Sequence, residues 1–436
     1  MRLARVVFAV LLGATIVTSS VRCSGSSVGR SAATRDPGEL HAAALHTIDK
    51  LMNDEIRAGD LPGGSFAVVR SDGSFLVRKA YGDRTFEPRR TPADLGTIYE
   101  LASLTKPVAT ASAVMLLVQR GQLRLVDRVA KYLPAFAANG KQEVNVAQLL
   151  THTAGMQQDY PPSDYTSDRA MILKHAYATP LRFQPGTRFE YSDLGYIVLG
   201  ELVAHIAREP FERFVGDQIF TPLHMTDSSF DTTFDTSKAA RVAPQTIRQT
   251  DAKLRSAFGT IPHVNGHAGM LSTVDDLARF AVAELRALGD HPDSNAPLAP
   301  ATVRAMIAPR YAGGGALRGL GWDLDTVYSG NRGDLMPRGG FGHTGSSGTS
   351  MWIDPALDIA VIFVSNAHYP IDKGTTLPLE GKLANVIAAS LPDVDREAVR
   401  EQERSFNAAA ARSALGFPTP GPPPTPTPHA PPRGRR

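Results

Sequence analysis

Two residues of complementary chemistry, Ser103 and Lys106, lie one helical turn apart. In a helix, side chains at positions i and i+3 share a face, so the hydroxyl and the amine can meet. A serine hydroxyl is a weak nucleophile until an adjacent base takes its proton. Lys106 can act as that base where burial and neighbouring charges lower its pKa. The pair therefore indicates nucleophilic catalysis, although Ser-x-x-Lys alone is a pattern that chance also produces.

Two further stretches contain residues that handle protons or bind substrates. The first reads Phe-Glu-Tyr-Ser-Asp-Leu and contains Tyr191 and Asp193. The second reads Gly-His-Thr-Gly-Ser-Ser-Gly-Thr and leads into a strand-like run; its polar start consists of His343, Thr344, Gly345 and Ser346. Taken alone, Tyr191 is better interpreted as a half-buried aromatic residue and His343 as a turn residue.

The three stretches together, in this order and at these separations, resemble the motifs of the serine penicillin-recognising enzymes. That family comprises the class C β-lactamases, the DD-peptidases related to them and the carboxylesterases of the same fold. The resemblance extends from about Leu40 to Leu391. Three supporting stretches also look similar, Leu149–Met156, Gly266–Met270 and Gly348–Asp354.

The resemblance implies a role for each motif. Ser103 would be the nucleophile and Lys106 its base, while Tyr191 would relay the proton to the leaving group, most effectively as a phenolate. Backbone N–H groups of Ser103 and Ser346 would form the oxyanion hole. The strand that begins with His343, Thr344 and Gly345 would hold the substrate through edge hydrogen bonds.

Two positions depart from the family pattern. Asp193 stands where the second motif usually has Asn, and His343 stands where the third motif often has Lys. Histidine is mostly neutral near pH 7, so it attracts a substrate carboxylate less than lysine does. An ionised Asp193 would repel such a carboxylate. We therefore expect a retained hydrolase whose substrate has a cationic or neutral group near Asp193.

These residues favour a serine hydrolase that cleaves amide or ester bonds through a Ser103 acyl-enzyme. Cell-wall peptides, β-lactams and small esters are the candidate substrates. The alternative is a binding or sensor protein that is acylated by penicillin, or binds wall fragments, with little turnover. A structural envelope protein with remnant motifs is a third interpretation. A Ser-His-Asp triad is disfavoured because no Gly-x-Ser-x-Gly elbow surrounds Ser103.

The elements around these motifs predict an α/β (α+β) fold of the β-lactamase/transpeptidase type. Strand-like runs on both sides of Asp72-Gly73 indicate a hairpin. Strand patterns at the two ends of the body would form one antiparallel sheet (37–102 plus 310–395), with a mainly helical region (103–309) inserted. Among the predicted helices are Leu40–Ile56, Leu125–Tyr132, Leu194–Ile206 and Leu379–Leu391. A functional cleft is expected where the two regions meet.

Composition excludes several classes of function. The chain has 436 residues and a formal net charge of +3, which comes from arginines near its two ends. The body lacks a basic patch with interleaved aromatics, so no nucleic-acid partner is expected. The 12 histidines show no metal-ligand spacing, and we expect neither a metal nor another cofactor. His152 and His267 are expected to fix loops through hydrogen bonds.

The sequences at the two ends of the chain indicate an export signal and a disordered tail. A basic start followed by an apolar run predicts a secretory signal peptide over 1–23 and a flexible leader over 24–36. The protein is thus expected in the periplasm or outside the cell, at a membrane only if Cys23, the sole cysteine, is lipidated. The catalytic domain is predicted over 37–395. Residues 396–436 are predicted to be a Pro-rich disordered tail.

Overall fold

The computed structural model describes residues 40–159, 169–230, 235–245, 266–289, 291–371, 373–392 and 394–416. The predicted signal peptide, the leader and Cys23 lie outside the described residues. Helix α1 (Ala42–Ala58) ends at Gly59, whose left-handed φ of 77° suits a glycine. Strands β1 (Gly63–Val69) and β2 (Phe75–Thr85) then form the predicted antiparallel hairpin.

The chain reaches Ser103 through two short strands, β3 (Thr91–Pro92) and β4 (Tyr99–Glu100). Ser103 lies in a 3₁₀ turn, Ala102–Leu104, and Lys106 opens a π-helical turn, Lys106–Ala111. Helix α2 (Ser112–Gln119) continues this segment. The spacing of Ser103 and Lys106 suited a regular helix; the π-helical turn found instead is of a kind that occurs frequently at functional sites.

The central region is mainly helical, as predicted. Its elements are α3 (Val146–Leu150), α4 (Arg169–Ala178), α5 (Asp193–Ala207), α6 (Phe211–Val215), β5 (Ser229–Phe230), β6 (Met270–Ser272), α7 (Val274–Leu288) and α8 (Pro300–Ile307). The prediction of a helix over Leu125–Tyr132 was wrong, because a short 3₁₀ turn, Val129–Lys131, forms there instead. That segment is instead tied to the loop before α3 by backbone bonds such as Val129 N–H to Val144 C=O at 3.0 Å.

The last part of the chain returns to strands. These are β7 (Arg310–Tyr311), β8 (Leu317–Arg318), β9 (Asp323–Asp325), β10 (Phe341–Gly345), β11 (Thr349–Asp354) and β12 (Ile359–Ser365), followed by helices α9 (Leu377–Ser390) and α10 (Arg396–Ala414). Helix α10 corrects the prediction of a disordered tail from residue 396. Asp395 caps its start, and Phe406 is buried against the body. The Pro-rich residues from 417 onward lie outside the described residues.

Within the described ranges, nine strands form one antiparallel sheet in the order β3-β2-β1-β12-β11-β10-β9-β8-β7. Pairing of β1 with β12 joins the first and last strand blocks, as the sequence predicted. Both faces of β1 are buried. Phe66 and Val68 pack in a cluster with α1 and α9, whereas Ala67 and Val69 pack in the larger cluster with the helical region.

The observed architecture is the predicted mixed α/β fold, with helices on both faces of a large antiparallel sheet. In the part of the chain that the structure describes, no helix is both long and apolar enough to cross a membrane. The helical region meets the sheet beside β10, and the Ser103 turn lies at this junction. The Thr349 hydroxyl donates to Leu101 C=O at 2.9 Å and the Ser347 hydroxyl to Glu100 C=O at 2.8 Å, so the sheet fixes the backbone ahead of Ser103.

Candidate active site

The turn that carries Ser103 is held in an uncommon conformation. Ala102 has a φ of 45°, in the left-handed region that non-glycine residues rarely adopt. Its N–H donates to Glu100 Oε1 at 3.0 Å, and Leu101 N–H donates to Met270 C=O at 2.9 Å. Such strain persists only where surrounding contacts impose it, and it is concentrated at functional sites.

The Lys106 side chain is fully buried behind Ser103. Its Nζ lies 2.9 Å from Ser103 Oγ, 2.8 Å from His267 C=O and 2.5 Å from Asp193 Oδ1. The same Nζ lies 4.9 Å from the centre of the Tyr191 ring. The predicted nucleophile and base therefore meet in hydrogen-bonding geometry.

Tyr191 and Asp193 are positioned by the start of α5. The Ser192 side chain caps this helix by accepting from Gly195 N–H at 3.1 Å, and its hydroxyl donates to Gln157 C=O at 2.7 Å. Ser192 N–H donates to Nδ1 of His152 at 2.9 Å. His152 thus fixes this loop, as expected, and its ring also stacks on Tyr191 at a centroid distance of 4.4 Å.

Burial decides the protonation of Lys106 and Tyr191. Desolvation lowers the pKa of Lys106, while the Asp193 carboxylate acts in the opposite direction. The pKa of Tyr191 is raised well above its ordinary value, first by burial and then by the Asp193 charge. This direction favours a neutral phenol near pH 7, in contrast to the phenolate that the resemblance implied. Asp193, which stands where the family usually has asparagine, contributes to the rise in the pKa of Tyr191.

Strand β10 brings the third motif against the Ser103 turn. A Cβ atom on Gly345 would lie 2.3 Å from Leu101 O and 2.3 Å from Thr349 Oγ1, so only glycine fits this approach. His343 is buried, and its Nδ1–H donates to Thr344 C=O at 2.7 Å. Burial, then the Arg318 and Lys106 charges, hold the pKa of His343 well below its usual range. The neutral imidazole supplies no cation for a substrate carboxylate.

One edge of β10 is open toward the cleft. Its neighbour β9 pairs with it at Gly342 alone, opposite Asp323, and no further partner residue pairs with β10 on that side in the described part of the chain. Thr344 is half-buried and Ser346 is exposed beyond the end of the strand. Backbone groups along this edge can therefore pair with an extended substrate, as in other cases of β-strand addition.

Six of the predicted residues line one cleft of about 380 Å³, and Lys106 is buried behind Ser103. The lining members from the prediction are Ser103, Tyr191, His343, Thr344, Gly345 and Ser346. Sequence reasoning missed other lining residues, namely Arg318, Asp323, Tyr328 and Glu380. Arg318 and Asp323 form a buried ion pair at 3.0 Å. The sequence signal that could have indicated this buried ion pair was an arginine within the otherwise apolar run Ala316–Trp322.

A known protein family matches most of the chain. The sequence profile of the Beta-lactamase family matches residues 47–385, most of the chain. The fold and the site together define a serine hydrolase. The chain belongs to the Beta-lactamase family.

Curated relatives cover most of the chain. An Escherichia coli strain K12 protein with the provisional name D-alanyl-D-alanine carboxypeptidase is 28% identical over 397 residues, which cover 81% of this chain and 90% of that protein. The Bacillus subtilis strain 168 protein named N-acetylmuramyl-L-alanine amidase is 26% identical over 382 residues, covering 77% of this chain and 84% of that protein.

Solved structures share the fold. The β-lactamase/D-alanine carboxypeptidase from Pseudomonas syringae matches with a TM-score of 0.64 and 20% identity, covering 81% of this chain and all of that one (100%). The hydrolase EstCE1, described as having promiscuous acyltransferase activity, matches with a TM-score of 0.65 and 21% identity over 79% of this chain and 98% of that one. At these identities the likeness concerns the fold.

Proposed function

We propose that this protein is an exported serine hydrolase that cleaves amide or ester bonds through an acyl-enzyme on Ser103, with cell-wall peptides as the first substrates to test. The observation that carries the proposal is the 2.9 Å contact between Lys106 Nζ and Ser103 Oγ at the floor of a cleft beside an open strand edge. The similarity to a protein with the provisional name D-alanyl-D-alanine carboxypeptidase supports the choice of substrate.

The reaction follows from the positions of these groups. Ser103 Oγ attacks the carbonyl carbon of the scissile peptide bond, and its proton passes to Lys106 when that amine is neutral. Tyr191, as a phenol, donates its proton to the leaving nitrogen and recovers one from Lys106. The C–N bond then breaks, D-alanine leaves, and water hydrolyses the Ser103 ester. Backbone N–H groups of Ser103 and Ser346 would stabilise the oxyanion.

The test is release of D-alanine from diacetyl-L-Lys-D-Ala-D-Ala, measured with D-amino-acid oxidase. We expect turnover by the wild type and none by Ser103→Ala, because the alcohol that forms the ester is gone. A matched serine variant, Ser405→Ala on the exposed face of α10, removes a hydroxyl that donates to Glu401 Oε1 at 3.2 Å and should keep the turnover of the wild type. Equal turnover by the wild type and Ser103→Ala would overturn the proposal.

A second candidate is a penicillin-binding protein with little turnover. It is favoured by one observation: Lys106 Nζ donates to Ser103 Oγ and His267 C=O and lies 2.5 Å from Asp193 Oδ1, surroundings that suit an ammonium better than a base for a hydrolytic water. Benzylpenicillin distinguishes the two: a long-lived adduct together with no D-alanine release would favour the binding protein. Repeated turnover of the peptide would favour the carboxypeptidase.

Export is part of the proposal and rests on the basic and apolar start of the chain. Expression in a Gram-negative host, followed by fractionation and intact mass of the recovered protein, tests it. We expect a shortened periplasmic protein. A full-length protein in the cytoplasm would contradict export and leave the hydrolase proposal standing.

A further inference from the structure

The Lys106 side chain is surrounded as a cation would be. An ammonium group has three N–H donors and no acceptor. Lys106 Nζ donates to Ser103 Oγ and His267 C=O at 2.9 and 2.8 Å and lies in ion-pair contact with Asp193 Oδ1 at 2.5 Å. A neutral amine would have two N–H donors and would direct its lone pair at one of these oxygen atoms. The geometry therefore fits the protonated form.

Asp193 is the one charged member of this set. It is the first residue of α5, where an acid is also favoured by the helix dipole. A role confined to helix stability would leave its carboxylate facing solvent, yet Oδ1 contacts a fully buried ammonium. The side chain is only 22% exposed. Its charge is thus directed at the base and not, as the sequence suggested, at a substrate group.

We propose that Asp193 is a positioning residue that keeps Lys106 as an ammonium and Tyr191 as a phenol. Acylation of Ser103 therefore requires a higher pH than it would without the Asp193 charge. The inference rests on the proposed role of Ser103 as nucleophile. The amide that the family usually has at this position provides no such charge. An asparagine variant would accordingly work at lower pH than the wild type.

The other groups near Lys106 act in known directions. Burial and the Arg318 cation on β8 lower its pKa, whereas Asp193 and, more weakly, Asp159 raise it. Arg318 is itself paired with Asp323. The rings that face Lys106 or its neighbours, those of Tyr191, Tyr196, His152 and His343, are uncharged near pH 7, because burial raises the pKa of the phenols and lowers that of the imidazoles. Asp193 is therefore the main group that opposes deprotonation of Lys106.

The consequence for catalysis concerns the first proton transfer. In the wild type, Lys106 must lose a proton to solvent before its amine can take the Ser103 proton as the Oγ–C bond forms. That proton later passes from Lys106 to Tyr191, which has given its own proton to the leaving amine as the C–N bond breaks. Removing the Asp193 charge makes the first loss easier, so the rate of acylation at neutral or acidic pH rises.

The experiment measures the pH dependence of acylation by p-nitrophenyl acetate for the wild type, Asp193→Asn and Asp193→Glu. We expect the acid limb of the profile to shift to lower pH by about one unit or more in Asp193→Asn. A shift of that size is the usual effect of removing one opposite charge in direct contact. Asp193→Glu keeps the charge and should keep the limb near that of the wild type. The matched control is Asp275→Asn, another acid in a first helical turn, which pairs with Arg78 at 2.6 Å.

Two outcomes would overturn the inference. One is an unchanged acid limb in Asp193→Asn; the other is an equal loss of rate at every pH, which indicates a structural role. Failure of the proposed function is detected separately. If no acyl donor reacts with Ser103, ¹³C-lysine NMR still follows the titration of Lys106, with its resonance identified by its absence in Lys106→Arg. A titration at the same pH in the wild type and Asp193→Asn would contradict the inference.

Discussion

The His152 imidazole stacks on the Tyr191 phenol, with ring centroids 4.4 Å apart and planes inclined by 25°. His152 has a φ of 57°, and its Nδ1 accepts from Ser192 N–H at 2.9 Å. Its pKa lies well below the usual range because of burial, so the stacked ring is neutral. One residue thus fixes both the ring of Tyr191 and the backbone that leads into α5.

This stack leads to a first prediction. His152→Asn keeps a residue that tolerates the left-handed conformation but removes the ring. We expect acylation by p-nitrophenyl acetate to slow by about threefold to tenfold, the equivalent of one aromatic contact. His224→Asn is the control, because His224 is exposed and has a φ of 54°. Equal rates for the wild type and His152→Asn would show that the stack does not position Tyr191.

The second prediction concerns the close approach of β10 to the Ser103 turn. Gly345→Ala would place a methyl group 2.3 Å from Leu101 O, so the backbone two residues before Ser103 must shift. We expect acylation to fall about a hundredfold, as misplacement by about 1 Å does elsewhere. Gly216→Ala is the control, since its added Cβ would meet no atom within 4 Å. Unimpaired acylation in Gly345→Ala would refute this account of the approach.

A third prediction concerns stability and not catalysis. Glu284 on α7 is buried, and its Oε2 has no hydrogen-bond partner among the described residues. Burial raises its pKa to about 8. The unfolded chain releases this proton at the ordinary, lower pKa, so between the two values the folded state binds more protons. The free energy of unfolding therefore falls as the pH rises through that window.

Glu284→Gln should remove this part of the pH dependence. We expect its free energy of unfolding, obtained from urea denaturation, to decline less than that of the wild type between pH 5 and pH 8, by about 1.4 kcal/mol for each pH unit of the window at most. Glu401→Gln, on the exposed face of α10, should follow the wild type. Parallel curves for the wild type and Glu284→Gln would mean that this carboxyl does not titrate differently in the two states.

Local patterns predicted much of the fold. The Asp72-Gly73 turn, the apolar spacing before Gly59 and the apolar run of β12 each indicate their element through short-range chemistry, and the structure has all three. The segment 125–132 failed because backbone bonds to the loop before α3 replace helical ones. Helix α10 was missed because its sequence is highly polar; Phe406 is its one buried residue among those described.

The site was predictable in its residue types but not in its electrostatics. Motif spacing indicated Ser103, Lys106 and Tyr191, and these side chains do lie together. The partner of Asp193 was not predictable, since it depends on how the start of α5 packs over the Lys106 turn. Arg318 was missed for the same reason: it reaches the cleft from β8, far along the chain from each motif.

The central claim is that Ser103 is the nucleophile, and intact-protein mass spectrometry tests it most directly. The wild type and Ser103→Ala are each incubated with benzylpenicillin and, separately, with p-nitrophenyl acetate, and the masses are followed over time. The account predicts that the wild type gains the mass of one acyl group, located on Ser103 by peptide mapping, and that Ser103→Ala gains none. Equal labelling of the two proteins, or a wild type that neither reagent labels, would contradict it.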